Sequence, residues 1–138
     1  MTISKDIKFD CAHMLSNYEG KCANLHGHTY HGTVTLEGDM NSGTGMLVDY
    51  NKIKEIVDDF DHAIVFSAPD WRNDAESALW QWADDNEMEY VVMPTGKSTA
   101  ENIAATIAQR FIIELGVKSA QVHLSETDGS WATAEAYK

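Results

Sequence analysis

Positive charge is scarce in this chain. Ten Lys and Arg stand against 22 Asp and Glu, a formal net charge of −12. Nucleic-acid and anionic-membrane surfaces need clustered basic residues, so both partner classes are excluded. The same imbalance repels an anionic ligand at long range, although salt screens that repulsion beyond about 8 Å. Such a ligand therefore needs local basic help. No apolar run is long enough to cross a bilayer, and Met1-Thr2-Ile3-Ser4-Lys5-Asp6 carries no signal-peptide core. The expectation is a soluble, cytoplasmic protein. Low-complexity tracts, internal repeats and linkers are absent too, so residues 1–138 are expected to form a single domain with one core. Cysteine is rare as well. Cys11 and Cys22 allow at most one disulfide; in a reducing compartment, with three histidines close by, thiol chemistry or metal binding is the expectation.

What is present is periodicity. Residues 3–13 alternate, with Ile3, Ile7, Phe9, Cys11 and His13 on one face, Lys5 the exception, and Ser4, Asp6, Lys8 and Asp10 on the other. That pattern predicts a half-buried strand delivering His13 on its apolar side. Residues 29–38 read as a second strand. Asn17-Tyr18-Glu19-Gly20 marks a loop between them, so the two form a hairpin with a long connection. Asn41-Ser42-Gly43-Thr44-Gly45 is a turn. Helices are expected over about 51–60, with Tyr50, Ile53, Val57 and Phe60 apolar, and over about 74–86, with Ala75, Ala78, Leu79 and Trp82. A short strand is expected at 89–93. The clearest helix is 99–115, where Ala100, Ile103, Ala104, Ile107, Ala108, Phe111, Ile112 and Leu115 trace one stripe. Ser98 with Glu101 reads as its capping box and Gly116 as its stop. Strands at 119–126 and 131–137, joined at Asp128-Gly129-Ser130, close the chain. Together these predict an α+β domain with an antiparallel sheet.

Histidine carries the chemistry. In a strand, residues i and i+2 share a face, so His26 and His28 point together and Gly27 leaves the opposite face bare. His13 from the first strand completes a trio. A catalytic zinc site commonly uses three protein ligands and keeps one position open. Residue spacing leaves two ligand sets: the three histidines with Cys22 as a free reactive thiol, or a closed site with one Cys added. Cys11 reads as a small core residue. His31 and His123 have no partner nearby in sequence and are expected on the surface or a sheet face. Asp61-His62 pairs a carboxylate with an imidazole whose tautomer it could fix. Glu126 shares the parity of Val122 and Leu124, and a carboxylate on an apolar side needs a partner. The N–H and NH₂ edge of a guanine-type or pterin ring would suit it through two parallel hydrogen bonds. Gly96-Lys97-Ser98 imitates the end of a phosphate-binding loop, but that motif needs glycine where Val91 stands. Lys97 remains a candidate for an anion at the start of the helix that follows.

Six motifs occur in order: Phe9-x-Cys11-Ala12-His13, Cys22-x-x-x-His26-Gly27-His28-x-Tyr30, Gly45-Met46-x-x-Asp49-Tyr50, Asp61-His62, Thr99-x-Glu101-Asn102 and Glu126-Thr127. Across nearly the whole chain this set resembles the 6-pyruvoyltetrahydropterin synthase family. The Cys22-to-His26 spacing is similar to that of its bacterial 6-carboxytetrahydropterin synthase branch, which serves 7-deazaguanine and queuosine biosynthesis. The resemblance implies a tunnelling fold: a four-stranded antiparallel sheet with helices inserted between strands two and three. Sheets of this kind form an oligomeric barrel, with two trimers stacked into a homohexamer. It also implies Zn²⁺ on His13, His26 and His28, catalysis by Cys22, Asp61 and His62, and a pterin ring anchored by Glu126 in a pocket lined by Thr99. Sites at subunit interfaces would let Asp61 and His62 serve a neighbour's metal centre. The implied reaction converts 7,8-dihydroneopterin triphosphate to 6-carboxy-5,6,7,8-tetrahydropterin, releasing acetaldehyde and triphosphate. The alternatives are the pyruvoyl-forming activity and a non-catalytic zinc module with Cys22 as fourth ligand. Departures from the family pattern are a long 67–97 segment carrying Trp71, Trp80 and Trp82, Ser98 where many relatives have proline, and Tyr50 for a common phenylalanine. Lys21, Lys52 and Lys97 are the candidates to meet the triphosphate.

Overall fold

In the computed structural model, which describes residues 1–138, the early alternation becomes strand β1 (Thr2–His13). Ile7, Phe9, Cys11 and His13 are buried while Asp6, Lys8 and Asp10 face out. β1 pairs antiparallel with β2 (His26–Glu37) along its full length, from Thr2 opposite Glu37 to His13 opposite His26. β2 thus starts at His26 rather than at residue 29. Glycine is a poor strand former, so Gly27 concealed that first stretch. Pairing with β1 supplies what propensity does not.

Asp49 caps α1 (Tyr50–Asp58) by accepting from the Asn51 N–H, which satisfies one open donor of the first turn. Ile53, Ile56 and Val57 face the core, with Phe60 buried just beyond. The helix ends at Asp58 rather than Phe60, and Tyr50 stands in solvent, off the apolar stripe. Next comes β3 (Ala63–Phe66), which lies parallel to β1 and was not predicted. Its Ala-Ile-Val-Phe run is short and almost uniformly apolar, and alternation cannot reveal a strand buried on both faces. α2 (Asp74–Asp85) crosses to β4 (Tyr90–Val92), which is parallel to β3. α2 is rotated from the expected stripe: Ala75, Ala78 and Trp82 are exposed, and Glu76 and Ala83 are buried.

α3 (Ala100–Leu115) is the long amphipathic helix the sequence predicts, and Gly116 ends it in the left-handed conformation at φ 68°. Its N-cap is Thr99, whose side chain accepts from the Asn102 N–H, and not Ser98, which is fully buried and engaged elsewhere. β5 (Ser119–Thr127) then returns beside β2, and β6 (Ser130–Tyr137) beside β5, both antiparallel. The sheet is therefore six-stranded and mixed, in the order β4-β3-β1-β2-β5-β6, where four antiparallel strands were expected. The four antiparallel strands are present, and β3 and β4 extend them past β1.

α1 packs on β1 and α3 on β5 and β6, enclosing a core of 24 buried residues that includes Phe9, Tyr30, Phe60 and Phe111. Burying one such side chain is worth about 1.5–3 kcal/mol. The opposite sheet face is polar: Ser4 meets Thr35, Thr33 donates to Asp6, and Gln121 donates to Glu135. Exposed His31 and half-buried His123 lie on this face, with His123 Nδ1 2.9 Å from Thr133 Oγ1. No helix is long and apolar enough to cross a membrane.

Candidate metal centre

His13 ends β1, His26 begins β2, and the two are cross-strand partners, with His28 two residues further on. Strand parity turns all three rings to the core side of the sheet, with centroids 4.6, 5.4 and 4.8 Å apart. One ring nitrogen from each lies within 4.8 Å of the others. The other nitrogens settle the proton positions. His13 Nδ1 is 2.5 Å from the Ser98 carbonyl and His26 Nδ1 is 2.7 Å from the Asn24 carbonyl. A carbonyl only accepts, so both protons sit on Nδ1. The two Nε2 atoms, 3.1 Å apart, then face each other with lone pairs. That contact is repulsive unless a cation or proton lies between them.

His28 Nε2 lies beside them. It is closed off from solvent and has no hydrogen-bond partner. Burial holds this ring below its ordinary pKa, which favours the neutral, metal-ligating form. Three neutral imidazoles, two of them oriented through backbone carbonyls, match the donor set and supporting bonds of a three-ligand zinc site.

Glu126 reaches the same spot. A register shift in β5 between Ser125 and Thr127 leaves Glu126 out of the ladder, and such a bulge re-aims a side chain. Its Oε1 lies 3.4 Å from His13 Nε2 and 3.2 Å from His28 Nε2, and accepts from Tyr30 Oη at 3.3 Å. Tyr30 is buried and stacked 5.1 Å from Phe9, and burial raises its phenol so that it stays a donor. The sequence reading gave Tyr30 no role. Its parity with His26 and His28 along β2 was the available signal. Ser98, 85 residues from His13, offered none.

Cys22 lies half-buried in a short 3₁₀ turn, Lys21–Ala23, outside the three-histidine group. His13, His26 and His28 could together hold a metal ion, and Asp10, Asp61 and His62 form a second group of that kind. Cys11 is a buried core residue, its thiol pushed up to about 12, chiefly by burial. Asp61 and His62 form a second cluster at the head of β3. Asp61 Oδ1 accepts from the Asp10 N–H at 2.9 Å, His62 N donates to the Asp10 carbonyl at 2.6 Å, and His62 Nδ1 is 3.0 Å from Asp61 Oδ2. The carboxylate and the imidazole of this dipeptide are therefore in contact. His62 is 79% exposed and opens on a cleft of about 440 Å³ lined also by Asp10, Gly27, His28 and Thr29. The Asp61–His62 pair and the trio are separate ligand groups, and His62 and His28 line the same cleft. Thr99 caps α3 directly after Ser98, the carbonyl partner of His13. Lys52 is engaged with Glu55 at 3.0 Å on α1. Lys21 is next to Cys22, and Lys97 next to Ser98.

An α+β sheet backed by helices, with three convergent imidazoles at the end of its central hairpin, defines the class: a protein with a histidine trio that could hold a metal ion. Residues 2–136 match the family model described as 6-pyruvoyl tetrahydropterin synthase, and the chain belongs to that family. It is similar to the 6-carboxy-5,6,7,8-tetrahydropterin synthase of Haemophilus influenzae, 35% identical over 137 residues and 94% of each chain. A putative enzyme of the same description from Pyrococcus abyssi is 34% identical over 133 residues, 91% of this chain and 83% of that one. Among solved structures, a catalytic-residue mutant of Plasmodium vivax 6-pyruvoyltetrahydropterin synthase superposes with a TM-score of 0.66. It covers 100% of this chain and 99% of that one at 21% identity, a likeness of fold. The chain is thus an enzyme, homologous to lyases of the 6-carboxytetrahydropterin synthase kind.

Proposed function

We propose that this protein is a zinc-dependent lyase that converts 7,8-dihydroneopterin triphosphate to 6-carboxy-5,6,7,8-tetrahydropterin, with release of acetaldehyde and triphosphate, in 7-deazaguanine biosynthesis. The observation that carries the reading is the meeting of His13 Nε2 and His26 Nε2 at 3.1 Å with both Nδ1 atoms committed to carbonyls. The identity to 6-carboxytetrahydropterin synthases supports the substrate and the product. His13, His26 and His28 would hold the zinc, which supplies Lewis acidity toward the substrate's side-chain hydroxyls when bound.

The chain's own groups do the rest. Cys22, outside the ligand set, moves a proton at the side-chain carbon. His62, its tautomer fixed by Asp61, serves the second proton transfer. Each such group typically contributes ~10²–10⁴-fold. Glu126 takes the amidine edge of the pterin, beside Thr99, and Lys21 and Lys97 offset the acidic surface near the triphosphate. The reading includes assembly: Asp61 and His62 serve a neighbouring subunit's centre in a ring of trimers stacked as a homohexamer.

Incubation with dihydroneopterin triphosphate tests the reaction. Acetaldehyde and triphosphate should appear together and stop on chelation. Triphosphate without acetaldehyde would assign the pyruvoyl-forming reaction instead. A zinc-loaded protein that turns over neither, with Cys22 shielded from alkylation, would make the site a non-catalytic module.

A further inference from the structure

Glu76 is a fully buried carboxylate that the reaction does not use. Burying a charge costs free energy unless its oxygens are satisfied. Here Oε2 accepts from the Ser67 N–H at 2.9 Å and lies 4.0 Å from Arg72 Nε. Oε1 accepts from Ser67 Oγ at 3.2 Å and from Ser16 Oγ at 3.0 Å. Arg72 Nε in turn donates to the Ser67 carbonyl at 2.7 Å, and its guanidinium lies against the Phe66 and Trp80 rings. An aliphatic residue could hold α2 to the sheet without the desolvation cost, since buried ion pairs are a weak source of stability. A carboxylate can do one thing an aliphatic cannot, which is to orient hydroxyls and backbone donors.

Those donors lead to the metal centre. Ser67 Oγ, fixed by Glu76, accepts from the Ser98 N–H at 3.2 Å. Ser98 Oγ donates to the Met14 carbonyl at 3.4 Å. The Ser98 carbonyl takes the His13 Nδ1 proton at 2.5 Å. The turn before Ser98 is clamped as well, by Ala68 N–H to the Gly96 carbonyl at 2.9 Å and by Asn102 Nδ2 to the Lys97 carbonyl at 2.8 Å. All of Ser16, Ser67, Glu76 and Ser98 are fully buried.

We propose that the long 67–97 segment is the scaffold of the metal centre, and that Glu76 is a positioning residue acting through Ser67 and Ser98 on His13. The network fixes the proton of His13 on Nδ1 and the direction of its Nε2 lone pair. The proposal rests on the metal reading above and adds to it a carboxylate linked to the ligand through the Ser67 hydroxyl and the Ser98 backbone.

Cobalt(II), added to the metal-free full chain, is the probe. Affinity is read by chelator competition and ligand geometry from the visible d–d bands, alongside the Tm of the metal-free protein. Ser67→Ala is the decisive variant, because Glu76 keeps its bonds from the Ser67 N–H and from Ser16, so α2 stays anchored. Its cobalt affinity is expected to fall about 10-fold, as loss of an orienting partner does, with altered d–d bands. Glu76→Gln is expected to fall at least as far. Wild-type affinity and spectrum in Ser67→Ala, whatever happens to the Tm, would overturn the proposal, also if Glu76→Gln fails to fold. A wild-type chain that binds no cobalt, or His13→Ala binding it as tightly as wild type, would sink the metal reading and this inference with it.

Discussion

At the scale of single residues, function here is a matter of where protons sit. Asp61 illustrates it outside the metal centre. Its carboxyl is held below the ordinary value, first by the Asp10 N–H, against the opposing effect of burial, and then by His62. A group depressed on folding stabilises the native state above its unfolded pKa, about 3.9, and loses that contribution as pH falls through the folded value. Asp61→Asn should therefore lower Tm at pH 7 and by progressively less below about pH 4. The side chain is 36% exposed, so solvent screening keeps the shift to a few degrees at most. Calorimetry across that range checks the sign, and a deficit that widens in acid would contradict it. Residue identity was legible in sequence where strand parity decides: His13, His26 and His28 face one side of the hairpin, whereas Glu126 reaches them from a bulge in β5 that alternation does not show. Tyr30, Ser98 and Glu76 were not, because their roles arise from contacts between distant segments, such as Ser16 with Glu76.

At the scale of elements, the close approach of backbones matters most. Gly32 sits in β2 opposite Leu124, and a Cβ there would lie 2.1 Å from the His123 carbonyl oxygen. That oxygen belongs to the neighbouring strand and cannot yield without opening the β2–β5 ladder. Gly32→Ala is expected to cost about 3 kcal/mol, the upper end of overpacking penalties, and to lower Tm by roughly 10 °C. Gly38→Ala is the control, since its Cβ would meet only Leu47 side-chain atoms, at 3.7 Å and beyond. Thermal denaturation of the two variants should separate them clearly; equal losses would mean that β2 and β5 are not in this register. Long periodic elements were readable from sequence, α3 above all. β3 was invisible because a short apolar run has no period, and α2 was read rotated because a buried Glu76 breaks the rule that charge faces water.

At the scale of the whole molecule, the difference between four strands and six bears on assembly. β3 carries Asp61 and His62 at its head, beside Asp10, while the trio lies at the end of the β1–β2 hairpin on the core side. On the proposed reading, in which both serve one reaction, a second copy completes the site. Cyclic assemblies do this through one repeated heterologous contact. The proposal of shared sites then has a consequence no single variant can show. Cys22→Ala and His62→Ala should each be inactive alone. Co-expressed in equal amounts, they should regain activity, because some interfaces join an intact Cys22 to an intact His62. Random mixing in a cyclic ring gives roughly one such site in four. Acetaldehyde release by the mixture at about that fraction of wild type would support shared sites. No recovery from mixed oligomers, verified by mass spectrometry, would place Cys22 and His62 of each site on the same chain. That result would require the loop bearing Cys22 to close toward β3 within one subunit.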